Sequence, residues 1–323
     1  MLASQSVFVV DAHTTGTPIR VVTGGIPPLK GASVAEKMED MRRNHDWLRT
    51  CIMQQPRGFL SLVGAILTEP CSPEADYGVF YIDSLTYQPM CGAGTLSVAK
   101  ALVETGMVKR VEPETKIVLE TPTGLVAVYV KWENHMVASI NLENVPAFLY
   151  RKDLHIDLAG YGDVSVDIGY GGNFFVLAVN LLRSLSKDIR AAANKVIKVA
   201  HPTNPAINYL DQVLFCQNVP EEDGGYLAQC IFGDAQADIS PCGTGTSTRL
   251  AQRYFRGLIG LEETFVQKSV CGGAFHAKGL RETTLGGVPA IVPYVSCSDV
   301  HITGFNHLIV EENDKLKNGF VSW

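Results

Sequence analysis

The sequence of 323 residues lacks the features that mark several common function classes. None of its eight cysteines is spaced Cys-x-x-Cys, which excludes a zinc ribbon and a thioredoxin-type motif. Its eight histidines are scattered, so no cluster of metal ligands is predicted. The chain has no block of like charges and a net charge of −6, from 27 basic and 33 acidic residues. We therefore expect neither a nucleic acid nor a membrane surface as a partner, and we expect the partner to be a small molecule.

Long hydrophobic runs are also missing from the start of the chain. The only apolar run within the first ten residues covers residues 7–10, and no basic segment precedes it. Such a run is too short for a signal peptide or a membrane span, so we expect a cytoplasmic protein. In that reducing compartment the cysteines are expected to be free thiols.

The length and a hydrophobic content of 46% predict two domains, because a single core of this size normally divides. Composition changes near residues 144–146, which places the first domain at 1–145 and the second at 146–299. The closing segment, 300–323, is expected to pack back on the first domain. Alternating strand and helix patterns indicate an α/β or α+β fold rather than an all-α or all-β one.

The local patterns predict individual elements. Helices are expected at residues 34–51, 95–103, 186–199 and 247–255. Strands are expected at residues 7–10, 60–67, 77–82, 165–170, 174–179, 227–232 and 301–310, with a hairpin over 116–130. Residues 11–22 read as a polar loop that returns to a strand. His13, in this loop, is interpreted as a hydrogen-bonding loop residue rather than a catalytic base, because no partner is readable nearby.

One unusual loop occurs twice. Residues 89–95 read Pro-Met-Cys-Gly-Ala-Gly-Thr, and residues 240–246 read Ser-Pro-Cys-Gly-Thr-Gly-Thr. Each copy places a cysteine, Cys91 or Cys242, just before a segment with a helical pattern. We therefore predict that both sulfurs lie at helix N-termini, where unpaired N–H groups and the helix dipole stabilise a thiolate and bind carboxylates. The offset of 151 residues also aligns Gly106 with Gly257, which indicates matching helix ends.

Two matched thiols suit the inversion of a carbon next to a carboxylate. One thiolate removes the α-proton from one face, and the other group donates a proton to the opposite face as a thiol. The loop glycines allow backbone N–H groups to approach the substrate carboxylate and the enolate-like charge of the intermediate. This chemistry needs neither a metal nor pyridoxal phosphate, so no cofactor is predicted.

Other function classes fit less well. A dinucleotide site would need a third glycine where the two loops have Ser97 and Thr248. A papain-like protease needs one cysteine with a histidine and does not explain a second loop. The six remaining cysteines are interpreted as small buried hydrophobic residues: Cys51, Cys71, Cys216, Cys230, Cys271 and Cys297. A binding module without catalysis remains an alternative.

The chain resembles the proline racemase family nearly from end to end. That family includes proline racemase, 4-hydroxyproline 2-epimerase and trans-3-hydroxyproline dehydratase. The motifs that carry the resemblance are Asp11-x-His13-Thr14-x-Gly16-x-Pro18-x-Arg20, Pro56-Arg57-Gly58, Met90-Cys91-Gly92-x-Gly94-Thr95, Tyr170-Gly171-Gly172-Asn173-Phe174, Asp238-x-Ser240-Pro241-Cys242-Gly243-Thr244-Gly245-Thr246-Ser247 and Ile302-Thr303-Gly304-Phe305.

The resemblance implies the α+β fold of diaminopimelate epimerase. In that fold two pseudo-symmetric domains each wrap strands around a central helix, and the active site lies between them without a cofactor. Cys91 and Cys242 are then the acid and base, and Asp238 contacts the substrate amine, although it also reads as a residue that caps a turn. The resemblance further implies a homodimer. Carboxylate binding falls to the backbone amides of Gly92, Ala93, Gly94, Gly243 and Thr244.

The chain departs from the family pattern at three positions. Ala93 replaces the usual histidine, Ile239 an arginine, and Phe59 a polar residue. A pocket without these groups favours a less hydroxylated substrate, because an unpaired buried hydroxyl costs about 1–3 kcal/mol. Among the expected pocket residues, Phe232 resembles the aromatic wall of proline racemases, whereas Val63 resembles the hydroxyproline epimerases.

Retention of both cysteines favours a proline racemase or hydroxyproline epimerase over a dehydratase, which typically carries serine or threonine at one or both positions. A dehydratase, and a family member that has low activity or binds a different amino acid, remain the alternatives.

Overall fold

The computed structural model describes residues 3–179, 183–233 and 236–322. The helices are α1 (Val34–Asn44), α2 (Asp46–Met53), α3 (Gly92–Glu104), α4 (Ser186–Val196) and α5 (Gly243–Phe255). The strands are β1 (Ala3–Thr14), β2 (Thr17–Gly24), β3 (Val63–Thr68), β4 (Tyr77–Asp83), β5 (Tyr87–Gln88), β6 (Glu114–Thr121), β7 (Gly124–Glu133), β8 (Met136–Glu143), β9 (Phe148–Leu158), β10 (Gly162–Tyr170), β11 (Phe174–Val179), β12 (Gln212–Cys216), β13 (Tyr226–Phe232), β14 (Gln236–Ala237), β15 (Phe265–Lys268), β16 (Ala274–Leu285), β17 (Val288–Cys297) and β18 (Val300–Glu311).

The chain divides into two compact units. Unit 1 comprises Met1–Asn141 and Ser298–Trp323, and unit 2 comprises Leu142–Cys297. The division falls within β8, a few residues before the composition change at residues 144–146 that the sequence suggested as a boundary.

Unit 1 is a mixed sheet in the strand order β18-β1-β2-β3-β4-β6-β7. Pairing is parallel between β2 and β3 and between β4 and β6, and antiparallel at the other steps. The short β5 pairs with β4 just before the first cysteine loop. Because β18 pairs with β1, the last strand of the chain completes the unit that the first strand begins.

Unit 2 repeats this pattern within its own sequence. Its strands follow the order β9-β10-β11-β12-β13-β15-β16-β17, with parallel pairing only between β11 and β12 and between β13 and β15. The short β14 pairs with β13, as β5 pairs with β4 in unit 1. The matched pairing makes the two units pseudo-symmetric, and mixed sheets around helices confirm the predicted α+β class.

Each unit has a long central helix enclosed by its strands. In unit 1, α3 packs against β1, β2, β3, β7 and β18, and nearly all of its side chains are buried. In unit 2, α5 packs against β9, β10, β11, β16 and β17. The sequence of α3 is mostly small and apolar, as expected of a largely enclosed helix, and its charged residues, Lys100 and Glu104, lie toward its C-terminal end. No helix in the described part of the chain is long and apolar enough to cross a bilayer.

Helix α5 is buried although its first turns are rich in hydroxyl groups. Ser247 Oγ donates to the Gly243 carbonyl at 3.0 Å, and Thr248 Oγ1 donates to the Thr244 carbonyl at 2.8 Å. Gln267, from β15, donates to Thr246 Oγ1 at 3.0 Å. These bonds satisfy polar groups that would be costly to bury unpaired.

Two predictions for unit 1 are wrong in detail. Residues 11–14 continue β1 instead of forming a loop, because Asp11 lies opposite Arg20 on β2 and pairs with it at 2.8 Å. That cross-strand ion pair lets polar residues occupy a strand. The helix predicted at 34–51 is two helices, because His45 has a non-helical backbone (φ −137°) that ends α1 and begins α2.

Other predictions are confirmed. Residues 116–130 lie in the hairpin formed by β6 and β7, and β11 has the predicted bounds. Both central helices end near a glycine with left-handed backbone, Gly106 (φ +72°) after α3 and Gly257 (φ +70°) after α5. A Cβ at Gly257 would meet no atom within 4 Å, so a substitution there tests the backbone conformation without adding a steric clash.

Replacing Gly257 with alanine is expected to lower the free energy of unfolding by about 1–2 kcal/mol, since an L-residue disfavours left-handed backbone. Urea denaturation followed by circular dichroism measures the change. Gly260→Ala is the matched control, because Gly260 lies outside the left-handed region and its added Cβ would meet only Glu263, at 3.7 Å. Equal stability of the two variants would contradict this account of the helix end.

Candidate active-site loops

The first cysteine loop begins the central helix of unit 1. Cys91 is the N-cap residue of α3, with extended backbone (φ −143°), and its sulfur accepts the N–H of Gly94 at 3.3 Å. Its carbonyl accepts from Thr95 N at 2.9 Å, the first hydrogen bond of the helix. The predicted position of this thiol at a helix N-terminus is confirmed.

Side chains from two strands hold this loop. Thr14, the last residue of β1, donates its hydroxyl to the Ala93 carbonyl at 3.0 Å and lies 2.9 Å from Ser97 Oγ. From β4, the Tyr81 hydroxyl lies 2.6 Å from Thr95 Oγ1. Burial raises the pKa of Tyr81 above its usual range, so the phenol remains neutral.

Gly94 is required by the same packing. A Cβ at this position would lie 2.8 Å from the Tyr81 ring, closer than side chains tolerate. The glycine therefore lets α3 approach β4.

The second cysteine loop begins the central helix of unit 2. Cys242 is the N-cap residue of α5, and its sulfur accepts the N–H of Gly245 at 3.4 Å. The second prediction of a thiol at a helix N-terminus is thereby confirmed. Thr244 Oγ1 lies 3.8 Å from the same sulfur.

The backbone of Cys242 differs from that of Cys91. Its φ of +65° and ψ of 102° are uncommon for a residue with a side chain, and such strain is concentrated at functional sites. Two hydrogen bonds hold the strained conformation: Cys242 N donates to Ser240 Oγ at 3.1 Å, and the Cys242 carbonyl accepts from Thr246 N at 2.7 Å.

Asp238 fixes the approach to this loop. Its Oδ1 accepts from Ser240 N at 2.9 Å and from Ser240 Oγ at 2.8 Å, while its own N–H donates to the Cys230 carbonyl at 3.0 Å. Asp238 therefore caps this turn, which is one of the two roles that the sequence suggested for it.

The Tyr-Gly-Gly-Asn motif supports the first turn of α5. A Cβ at Gly171 would lie 2.6 Å from backbone atoms of Thr244 and Thr248, so only glycine permits this contact. Asn173 Nδ2 donates to Thr244 Oγ1 at 3.4 Å. Asn144, which the sequence analysis missed, donates to the Gly171 carbonyl and to Ser247 Oγ, each at 2.9 Å.

The two predicted wall residues lie in different units. Phe232, on β13, is 6% exposed and belongs to the same buried cluster as Cys242. Val63 is the first residue of β3, a strand that packs against α3.

The three departures from the family pattern occupy different environments. Ala93 is 2% exposed, and Ile239 is half-buried next to Asp238. Phe59 is 47% exposed at the surface of unit 1.

The amino-terminal motif is hydrogen-bonded to the Pro-Arg-Gly motif through Arg20. Arg20 pairs with Asp11 and donates to the carbonyls of Ile52 (2.8 Å) and Arg57 (2.6 Å). His13 Nδ1 accepts from Gly16 N at 3.3 Å, in agreement with its interpretation as a residue that hydrogen-bonds a turn.

All eight cysteines are free thiols. Among the six outside the loops, Cys51, Cys216, Cys230 and Cys297 are buried as predicted. The prediction is wrong for Cys271, which is exposed, and for Cys71, which is partly exposed; both lie in turns rather than in regular elements.

Comparison with known proteins agrees with this architecture. A family model described as proline racemase matches residues 9–321. The proline racemase of Clostridioides difficile is 38% identical over 99% of both chains, and the trans-3-hydroxy-L-proline dehydratase of Burkholderia cenocepacia is 37% identical over the same shares.

A solved structure gives the class of fold. A hydroxyproline epimerase from Agrobacterium vitis, with bound trans-4-hydroxy-L-proline, superposes with a TM-score of 0.94 at 27% identity, over 100% of this chain and 96% of that one. The fold is thus the α+β fold of a hydroxyproline epimerase. The chain belongs to the proline racemase family.

Thr14→Val replaces a buried hydroxyl with a methyl group of similar size and removes the bond to the Ala93 carbonyl. The free energy of unfolding is expected to fall by about 1–3 kcal/mol, because the carbonyl and Ser97 lose a partner. Thr14→Ser keeps the hydroxyl and is the control. Urea denaturation compares the two; equal losses would show that the hydroxyl does not support the loop.

Proposed function

We propose that the protein is a cofactor-independent racemase or epimerase that inverts the α-carbon of proline or a hydroxyproline. The observation that carries the proposal is the pair of cysteine sulfurs, each the N-cap of a central helix and each followed by Gly-x-Gly. Membership of the proline racemase family supports it.

The proposed chemistry uses both thiols. One cysteine, as thiolate, takes the α-proton from one face of the substrate, while the other, as thiol, donates a proton to the opposite face. The roles exchange for the opposite enantiomer. Each reaction therefore moves one proton onto one sulfur and one proton off the other, and leaves the pair ready for the opposite enantiomer.

Backbone amides are the proposed carboxylate ligands. In the first loop the Gly94 N–H already bonds to Cys91 Sγ and the Thr95 N–H to the Cys91 carbonyl, so the donors assigned to the substrate are Gly92 and Ala93. The equivalent donors of the second loop are Gly243 and Thr244. N–H groups in the first turn of a helix suit a carboxylate and the enolate charge that forms next to it.

The remaining contacts set the proposed specificity. Asp238, four residues before Cys242, is assigned to the substrate amine, and its bonds to Ser240 hold it in place. Phe232 and Val63 are assigned to the apolar walls. With alanine at 93 and isoleucine at 239, a ring hydroxyl would have fewer partners, which favours proline over its hydroxylated forms.

A dehydratase is the second candidate, since one relative of 37% identity carries that name. Removal of water from a 3-hydroxylated ring needs only one base to take the α-proton, so this reaction does not require a second thiol. The two retained cysteines therefore favour racemisation.

Turnover in deuterated water separates the candidates. With L-proline or trans-4-hydroxy-L-proline, a racemase or epimerase is expected to incorporate deuterium at the α-carbon and to change the optical rotation. If the protein is a dehydratase, it should convert trans-3-hydroxy-L-proline to a ketone-type product. If it only binds amino acids, it should show neither deuterium incorporation nor product formation. Cys91→Ala and Cys242→Ala should each reduce exchange by about 10²–10⁴-fold.

Alkylation tests the two thiols directly. Iodoacetamide is expected to abolish turnover as Cys91 or Cys242 is modified, and pyrrole-2-carboxylate, which imitates the planar intermediate, should protect both. The exposed Cys271 is the control, because its alkylation should neither depend on that ligand nor affect turnover. Unchanged modification of both loop cysteines at saturating ligand would argue against the proposed site.

A further inference from the structure

Unit 2 has a cavity beside the C-terminal half of α5. Its volume is about 280 Å³, and α5 contributes Arg249, Gln252 and Arg256 to its lining. These residues are spaced three and four apart, so they share one side of the helix. At a rise of about 1.5 Å per residue, Arg249 lies about 10 Å along the helix from Cys242. The cavity is therefore separate from the second cysteine loop.

The lining combines apolar walls with a few polar groups. Leu177 and Val179, on β11, and Leu258, after α5, supply apolar surface. Leu177 and Arg249 are buried, whereas Leu258 and Asn218 are exposed, so the cavity has a buried interior and an exposed rim. A concave site with apolar walls and a small number of fixed polar groups is the usual form of a small-molecule site.

The Arg249 guanidinium is a buried charge whose hydrogen-bond partners are neutral. Its side chain belongs to a residue that is 2% exposed. Nη2 donates to the Gln217 carbonyl at 3.2 Å and to Asn218 Oδ1 at 2.6 Å, and Nη1 donates to Gln252 Oε1. Among the described residues, Nε has no acceptor and the guanidinium has no ion pair. Because burying a charge is costly unless an opposite charge pairs with it, this cation favours an anion in the cavity.

Asp167 also lines the cavity, but its carboxylate is fully occupied. Oδ1 accepts from Asp153 N at 2.8 Å and from Arg256 Nη2 at 2.7 Å, while Oδ2 accepts from Arg256 Nε at 2.8 Å and from Gln252 Nε2. Burial alone would raise the pKa of Asp167, but Arg256 and the other donors lower it below its ordinary value. Asp167 is thus the ionised partner of Arg256, and the Gln252 amide lies between it and Arg249.

We propose that this cavity binds a small organic carboxylate, with the carboxylate paired to Arg249 and the apolar body against Leu177 and Val179. A planar guanidinium suits a carboxylate, because its N–H groups can make two parallel hydrogen bonds. A volume of about 280 Å³ holds roughly nine non-hydrogen atoms at about 30 Å³ each, which fits a short-chain or single-ring monocarboxylate. An inorganic anion would leave the apolar walls without a contact. This site goes beyond the racemase proposal and does not rest on it.

Benzoate, a single-ring monocarboxylate of this size, is the probe, and isothermal titration calorimetry of the full chain measures its binding. Arg249→Gln removes the charge and is expected to weaken benzoate binding about ten- to a hundredfold, the loss expected for charge-assisted hydrogen bonds. Benzamide, which has a similar shape without the charge, should bind the unmodified chain at least about tenfold more weakly than benzoate.

Arg253→Gln is the matched control on the same helix. The Arg253 guanidinium lies 4.3 Å from the centre of the Tyr226 ring, and Arg253 is not part of the cavity lining. Its substitution removes the same charge from α5 and should leave benzoate binding unchanged.

A second pair of variants tests the rim without altering a buried group. Leu258 is 56% exposed, so its substitution is expected to leave the fold intact. Leu258→Glu places a negative charge beside the cavity and should weaken benzoate binding about fivefold relative to the neutral Leu258→Gln. This pair decides the question if Arg249→Gln fails to fold.

Benzoate binding that survives both Arg249→Gln and Leu258→Glu would overturn the proposal, because the ligand would then occupy another site, such as the cysteine loops. Equal losses in Arg249→Gln and Arg253→Gln would overturn it too, since the cause would be the net charge of the helix. Absence of benzoate binding to the unmodified chain, or phosphate binding of equal strength, would reject an organic carboxylate site. Calorimetry requires no turnover, so failure here leaves the racemase proposal to its own test.

Discussion

Both units depend on one interaction, the hydrogen bond from an N–H of the first helical turn to a cysteine sulfur that caps the helix. Helix caps usually use the oxygen of serine, threonine, aspartate or asparagine. Here Cys91 and Cys242 accept the N–H three residues ahead, and each opens the central helix of its unit. The cap leaves the earlier N–H groups of the first turn pointing to the same end as the sulfur. One short segment of chain thus brings together a thiol and helix N–H groups, the two components that the proposed acid and base chemistry and anion binding require.

The surrounding residues fix the first turn of the central helix through different contacts in the two units. In unit 1 a hydroxyl from Thr14 and the ring of Tyr81 fix the first turn, and the helix behind them is apolar. In unit 2 the backbone at Gly171 approaches the first turn directly, and hydroxyl groups fill the contacts along α5. The same strand pairing therefore carries two chemically different cores. This explains why the two helices share only the Cys-Gly-x-Gly-Thr start and the glycine that follows each helix end.

Local chemistry made the helix starts, the helix ends at Gly106 and Gly257, and the hairpin of β6 and β7 predictable from sequence. Features that depend on distant partners were not. The strand at Asp11 is recognisable only through its partner Arg20 on β2, and the polar pattern alone indicated a loop. Likewise nothing near Asn144 in the sequence shows that its side chain donates to the Gly171 carbonyl and to Ser247 Oγ. The cysteine loops were predicted because they repeat. The contacts that Thr14 and Asn173 make with these loops were not predicted, because they join segments far apart in the sequence.

The pairing of β1 with β18 has a consequence for how the protein is made. Unit 2 is continuous, so all of its strands are synthesised before the last segment of unit 1. The first strand meanwhile has β2 on one edge and no neighbour on the other until residues 300–311 emerge. Because an unpaired strand edge invites association with other chains, β1 is the part of the nascent polypeptide that a chaperone would most need to shield.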